Sequence, residues 1–148
     1  MASSYDSAVN LLELSLKKEK FDIVVVDELI DGAGGVSLAR LVHTISGNKN
    51  TKVVMMAHRS ISSGEEREES VDLYLAKPVT SAQFSLGLNG LYETTKSLNR
   101  STVAKAKTLI KGKPFKGKKL LLVEDNSTNQ QSIFPHYNHS LIQIFYIR

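Results

Sequence analysis

Side chains suited to phosphoryl chemistry stand at the ends of several apolar runs in this sequence. Asp27 ends one run, Lys77 follows another, and the adjacent acids Glu124 and Asp125 follow a third. A carboxylate can act as a nucleophile that accepts a phosphoryl group and forms an acyl phosphate. Mg²⁺ prefers one or two carboxylates plus waters, and a lysine can place a point charge on phosphoryl oxygens. These residues supply the groups that such chemistry needs, provided that the fold brings the acidic pair close to Asp27 and Lys77.

The elements that must position these residues alternate along the chain. The apolar, β-branched runs are typical of strands buried on both faces, as in parallel sheets. We predict such strands at 21–27, 52–57, 71–76 and 120–126. Helical periodicity predicts helices at 6–20, 36–45 and 80–92. This alternation implies right-handed βαβ crossovers, and hence an α/β fold with a doubly wound parallel sheet and helices on both faces.

The positive charge belongs to one short segment of the chain. The 148 residues carry a net charge of +4, divided into −2 for residues 1–100 and +6 for residues 101–148. Seven lysines lie between positions 105 and 119, where no acidic residue occurs. A lysine-rich stretch of this kind is more typical of a linker than of a nucleic-acid or acidic-lipid surface. We therefore expect no nucleic-acid binding.

Composition excludes several other classes of protein. The chain has no cysteine, which rules out a disulfide framework, a thiolate zinc site and a cysteine nucleophile. No apolar run approaches the roughly 18 residues of a membrane span, and the start of the chain lacks a signal-peptide pattern. The expectation is a cytoplasmic region without membrane contact, although its parent protein could be anchored in a membrane.

The first ninety-five residues carry a family resemblance. The run 24–27 with Gly35 eight positions after its aspartate, the run 53–57 and the segment 72–78 together resemble the later part of a response-regulator receiver domain. The match covers the second through the fifth helix of that flavodoxin-like fold. It implies that Asp27 is the phosphoacceptor, that Lys77 contacts the phosphoryl group and that Tyr74 is the aromatic switch residue. The Lys77–Pro78 step looks like the family's cis peptide, an isomer found in only ~5% of X–Pro bonds.

A second resemblance follows the linker. Residues 118–131 look like the first strand and loop of another receiver, of the kind found in hybrid sensor histidine kinases. On this basis Glu124 and Asp125 match the family's Mg²⁺-binding pair and would share the ion with Asp27. The predicted organisation is a partial receiver at 1–95, a lysine-rich linker at 96–117, the start of a second receiver at 118–131 and an atypical tail at 132–148.

The sequence also departs from the receiver pattern. Ala57 stands at the family's Ser/Thr switch position, and the first receiver lacks its own first and second strands. The tail contains Pro135 and the uncharged run 141–147, which is β-prone in the manner of an aggregation hazard. These differences suggest a truncated and inactive receiver region.

The missing strand leads to an architectural prediction. The flavodoxin-like strand order is 2-1-3-4-5, so the first strand should lie beside the strand that ends at Asp27. The run 120–123 is the spare strand of the right type. We predict that it folds back and pairs parallel to 21–27, as in a circular permutation. This pairing would bring Glu124 and Asp125 near Asp27.

Three functions remain open at this point. The resemblance implies phosphorelay signalling with a histidine kinase or a histidine phosphotransfer protein as partner and Mg²⁺ as cofactor. No ATP-binding motif or phosphorylatable-histidine motif is visible, so the chain itself is not expected to be a kinase. The alternative is a pseudo-receiver that binds a protein partner without phosphorylation. A carboxylate-nucleophile phosphatase is disfavoured, because Leu29 stands where a second acid would be needed.

Overall fold

A computed structural model describes residues 4–17, 20–31, 33–46, 50–58, 68–93, 117–124 and 142–145. These residues form three helices and five strands. In chain order they are α1 (Tyr5–Leu16), β1 (Ile23–Asp27), α2 (Gly35–Ser46), β2 (Lys52–Ala57), β3 (Leu73–Ala76), α3 (Ser81–Glu93), β4 (Lys118–Val123) and β5 (Ile142–Phe145).

The strands of the described chain form one parallel sheet with the order β3-β2-β1-β4-β5. The central strand, β1, lies between β2 and β4. Ile23 is in register with Leu120, and Val26 is in register with Val123. The predicted parallel pairing of 120–123 with the Asp27 strand is therefore present.

Both faces of the central strands are buried, as the β-branched runs predict. Val24 and Val26 face the core shared with α1 and α2, whereas Ile23 and Val25 face the core shared with α3. All four side chains are completely buried. Each contributes on the order of 1.5–3 kcal/mol of hydrophobic stabilisation. Helices on both faces of a parallel sheet confirm the doubly wound, flavodoxin-like α/β fold in its permuted form.

The tail contributes a strand where the sequence predicts only an atypical segment with a β-prone run. Within 132–148, Ile142–Phe145 pairs parallel with β4. Lys118 is in register with Ile142, and Leu121 with Phe145. When β4 pairs with β1, the other edge of β4 still has backbone N–H and C=O groups that need hydrogen-bond partners. A β-prone segment can supply these partners.

Element boundaries differ from the predicted ones at several ends. The first helix is shorter than 6–20 because it is closed at both ends: Ser4 and Ser7 form a capping box, and Lys17 is the C-cap. The predicted strand at 71–76 begins at Leu73, and the one at 120–126 ends at Val123. Most of the predicted linker lies outside the described residues. No helix in the described part of the chain is long and apolar enough to cross a membrane.

Candidate functional site

Three of the predicted chemical residues meet at the carboxyl edge of the sheet. Asp27 ends β1, Glu124 follows the neighbouring β4, and Lys77 follows β3 on the other side of β2. The Lys77 ammonium forms an ion pair with Asp27 Oδ2, and its Nζ lies 3.7 Å from Glu124 Oε2. Lys77 thus links two carboxylates, one at the end of β1 and the other directly after β4, the strand that pairs with β1.

Asp27 is almost completely buried, with 3% of its surface exposed. Its Oδ1 accepts a hydrogen bond from the Leu29 N–H at 3.1 Å, while its Oδ2 accepts one from Lys77. Burial alone would raise the pKa of Asp27. The hydrogen bonds from Lys77 and Leu29, the charge of Lys77 and a hydrogen bond with Glu124 outweigh burial and hold that pKa below its ordinary value.

Glu124 is completely buried beside Asp27. Its Oε2 lies 3.7 Å from the Lys77 ammonium, which also pairs with Asp27. The three side chains therefore form a compact site in which one added cation would change the local charge balance.

Two glycines shape the loop that follows Asp27. Gly34 has a φ of +81°, in the left-handed region that favours glycine. A Cβ on Gly35 would lie 2.4 Å from the carbonyl oxygen of Asp27 and 3.0 Å from Cα of Glu28. Only a glycine lets α2 begin this close to the end of β1, so Gly35 helps to fix the position of Asp27.

The backbone around Lys77 is held by the neighbouring strand. Its N–H donates to the Ala57 carbonyl oxygen at 2.8 Å, and the Lys77–Pro78 peptide is cis, as the resemblance implied. Ala57 ends β2 between the strands that carry Asp27 and Lys77, and it is 1% exposed. Because residue 57 is alanine, the end of β2 carries a methyl group and no hydroxyl between Asp27 and Lys77.

Tyr74 lies in β3 and is half-buried. Its hydroxyl accepts a hydrogen bond from the Glu68 N–H at 3.2 Å. The Glu68 carboxylate in turn binds the Arg40 guanidinium through two hydrogen bonds of 3.0 and 2.6 Å. The ring at the predicted switch position is thereby linked through Glu68 to α2.

The donor set suits a small divalent cation in part. Asp27 and Glu124 supply two carboxylates at one point, which matches the preference of Mg²⁺ for few protein carboxylates and several waters. A cation bound at this edge would stabilise the carboxylate of Glu124, which is buried next to another acid. Asp125, the third predicted ligand, lies outside the described residues. Among those that are described, no three His, Asp or Glu side chains converge as a metal cluster.

Sequence reasoning missed two aspartates at the opposite edge of the sheet. Asp22 precedes β1 and accepts hydrogen bonds from Lys118 Nζ at 2.8 Å and from the Lys119 N–H at 2.9 Å. Asp72 precedes β3 and binds Lys52 Nζ and the Val53 N–H in the same way. The two pairs share a sequence pattern: an aspartate directly precedes one strand, and a lysine begins the neighbouring strand of the sheet.

No protein-family model matches the sequence, and no curated protein matches it either. The functional assignment accordingly depends on the receiver-like motifs and on the geometry of Asp27, Lys77 and Glu124.

Proposed function

We propose that this chain is a receiver-type phosphoacceptor module of a phosphorelay, with Asp27 as the residue that is phosphorylated. The observation that carries the proposal is the convergence of Asp27, Lys77 and Glu124 at the carboxyl edge of a parallel sheet. Ligands of open α/β sheets bind at this edge. The strand that brings Glu124 there comes from a distant part of the chain.

The proposed reaction is a phosphoryl transfer to a carboxylate. An oxygen of Asp27 attacks the phosphorus atom of a donor, forming an acyl phosphate as the bond from phosphorus to the donor's leaving group breaks. The leaving group takes the electron pair of that bond. Lys77 is placed to shift from the Asp27 carboxylate to the new phosphoryl oxygens and to offset their charge.

A bound Mg²⁺ would neutralise phosphoryl oxygens during the transfer. Asp27 and Glu124 are the described residues that would hold it, and Asp125 is the third residue that the family resemblance implies. The same resemblance suggests a histidine kinase or a histidine phosphotransfer protein as the phosphodonor, and a cytoplasmic setting.

The test is direct phosphorylation of the purified chain. Incubation with Mg²⁺ and a small phosphodonor such as phosphoramidate should add the mass of one phosphoryl group, and the adduct should be base-labile. Asp27→Asn should abolish the mass gain. Asp31→Asn is the matched control, because Asp31 is an exposed acid of the same loop and should leave the gain intact. A gain that survives in Asp27→Asn would contradict the assignment.

A second function is favoured by two features of the site. Ala57 offers no hydroxyl to a phosphoryl group, and the Asp27 side chain is only 4% exposed. Both features suit a pseudo-receiver that binds a protein partner without phosphorylation. In the same assay this function gives no adduct at Asp27, whereas steady release of phosphate would indicate a phosphatase.

A further inference from the structure

The described fold is assembled from two pieces of chain. Residues 4–93 carry α1 to α3 and β1 to β3, and the second piece carries β4 and β5. The second piece joins the sheet because β4 pairs with β1. Glu124 directly follows β4, so its position relative to Asp27 depends on the register of this strand pair. A shift of β4 by one residue would move Glu124 by about 3.3 Å along the sheet.

Hydrophobic packing alone fixes the register of β4 weakly. Its three consecutive leucines occupy both cores: Leu120 and Leu122 lie in the core with α3, and Leu121 lies in the core with α1 and α2. A one-residue shift exchanges the two faces of a strand. For most of β4 it would put one leucine in the place of another, so nearly the same apolar surface would remain buried. The register is therefore set by polar groups at the ends of the strand.

A shift of β4 in one direction is prevented by Glu124 itself. In the observed register Val26 is opposite Val123, so Glu124 comes level with Asp27. If β4 moved so that Glu124 came opposite Val26, its carboxylate would enter the core shared with α1 and α2. Burying a carboxylate among apolar side chains is strongly unfavourable. This register is therefore excluded without any contribution from the other end of the strand.

A shift of β4 in the other direction is opposed by Asp22. Its carboxylate accepts hydrogen bonds from Lys118 Nζ at 2.8 Å and from the Lys119 N–H at 2.9 Å. In the shifted register these two positions would be taken by Gly117 and Lys118, and glycine has no ammonium to donate. Lys119 would come opposite Ile23, where its long side chain can extend past the strand end to solvent, so packing opposes this shift little. The bonds to Asp22 therefore distinguish the two registers.

We propose that Asp22 sets the register of β4 on β1 and thereby positions Glu124 in the site at the opposite edge of the sheet. Asp22 lies five residues before Asp27, which is roughly 16 Å along the strand at about 3.3 Å per residue. Because it acts through β4 rather than by contact with the site, it is a positioning residue. The proposal concerns how the site is assembled and stands whether or not Asp27 accepts a phosphoryl group.

Asp72 makes the same pair of bonds to a strand pair whose register packing already fixes. Its carboxylate accepts one bond from Lys52 Nζ at 2.7 Å and one from the N–H of the next residue at 2.8 Å. A one-residue shift of β3 would exchange Tyr74 with Leu75, two different side chains that pack in different cores. Asp72→Ala is therefore the matched control for Asp22→Ala, because it removes equivalent bonds without releasing the register.

Cross-strand nuclear Overhauser effects between β1 and β4 measure the register, and the carboxyl ¹³C resonance of Glu124 reports its surroundings. The wild type and Asp72→Ala should show one set of contacts, with Ile23 opposite Leu120. Asp22→Ala should add a second set, shifted by one residue, and a second Glu124 resonance. The ratio of native to shifted register should fall by roughly tenfold or more, because hydrogen bonds to a charged group are lost.

Asp22→Asn is the conservative variant. It retains an oxygen that can accept from the Lys119 N–H, so it should keep most of the native register. If Asp22→Ala does not fold, Lys118→Met removes one of the two bonds and should show the second set at a lower population; its absence there would overturn the proposal. A folded Asp22→Ala with only the native contacts and one Glu124 resonance would also overturn it, as would an equal shifted population in Asp72→Ala.

Discussion

Lys77 provides the positive charge that keeps Asp27 ionised in a buried position. The Asp27 carboxylate has lost nearly all contact with solvent, and it also lies against the Glu124 carboxyl. Burial disfavours a carboxylate, whereas hydrogen bonds and a neighbouring ammonium favour it. Lys77 supplies both a hydrogen bond and a positive charge, so it contributes more than the Leu29 N–H to keeping the pKa of Asp27 low.

Replacing Lys77 by methionine should raise the pKa of Asp27. In the wild type this pKa lies below its ordinary value, so the folded state binds fewer protons than the unfolded state. The resulting stabilisation is complete above the ordinary pKa and is lost as the pH falls through the folded-state pKa. Without Lys77, the effect of burial on the pKa of Asp27 should dominate. The stabilisation that ionised Asp27 contributes to the folded state should then shrink or change sign. Carboxyl ¹³C NMR titration and urea unfolding between pH 2 and about pH 7 measure the two effects.

Lys52→Met is the matched control for this experiment. Lys52 pairs with Asp72 at the opposite edge of the sheet, where both side chains are partly exposed. Its loss should leave the titration of Asp27 unchanged. An Asp27 pKa that is the same in Lys77→Met and in the wild type would show that the ion pair does not set it.

At the scale of elements, the turn from β1 into α2 determines where the Asp27 carboxylate lies. This turn is tight because Gly35 approaches the Asp27 backbone more closely than any side chain allows. The Gly35 N–H donates to the Glu28 carbonyl at 3.2 Å, and the Glu28 N–H donates to the Met56 carbonyl at 3.0 Å. The loop is thereby tied to β2 as well as to α2.

Gly35→Ala should lower the free energy of unfolding by about 1–3 kcal/mol, since the added methyl group would overlap backbone atoms that cannot rotate away. Gly90→Ala is the matched control in α3, where a Cβ meets nothing within 4 Å. It should raise stability by about 0.5–1 kcal/mol, as alanine is the better helix former. Urea unfolding of both variants measures the difference. Equal effects would mean that the β1–α2 turn is looser than the structure shows.

At the scale of the whole molecule, the strand order decides which residues share a site. The resemblance divides the chain into parts of two receivers, yet their strands lie in one sheet. Leu120 and Leu122 pack in the core that contains α3, and Leu121 and Val123 pack in the core that contains α1 and α2. The second piece therefore belongs to both cores and should unfold together with them.

Leu122→Ala should lower the free energy of unfolding by about 2–5 kcal/mol, the usual cost of emptying a buried leucine site. Hydrogen exchange should also accelerate in β1 and β2, because strands of one cooperative sheet open together. Leu86→Ala on α3 is the control, since Leu86 is 41% exposed and its loss should change stability by less than about 0.5 kcal/mol. Faster exchange confined to β4 and β5 would indicate that the two pieces fold independently.

Local sequence patterns predict the class of fold and bring most of the candidate residues to one edge of the sheet. Local patterns sufficed for this, because β-branched apolar runs predict buried strands and parallel strands place Asp27 and Lys77 at one edge. The pairing of 120–123 with β1 was also predictable, because the receiver resemblance implies a strand beside the one that ends at Asp27 and the run 120–123 has the right pattern.

Three features of the fold follow from long-range contacts alone: Ile142–Phe145 joins the sheet, Glu124 is buried against Asp27, and Asp22 binds Lys118 and Lys119. Local sequence carries the propensity to form a strand, but its neighbour is chosen by hydrogen bonds and packing between residues far apart in the chain. The chemistry of the Asp27 site depends on those choices, since the charge around a buried carboxylate is set by whichever strands lie beside it.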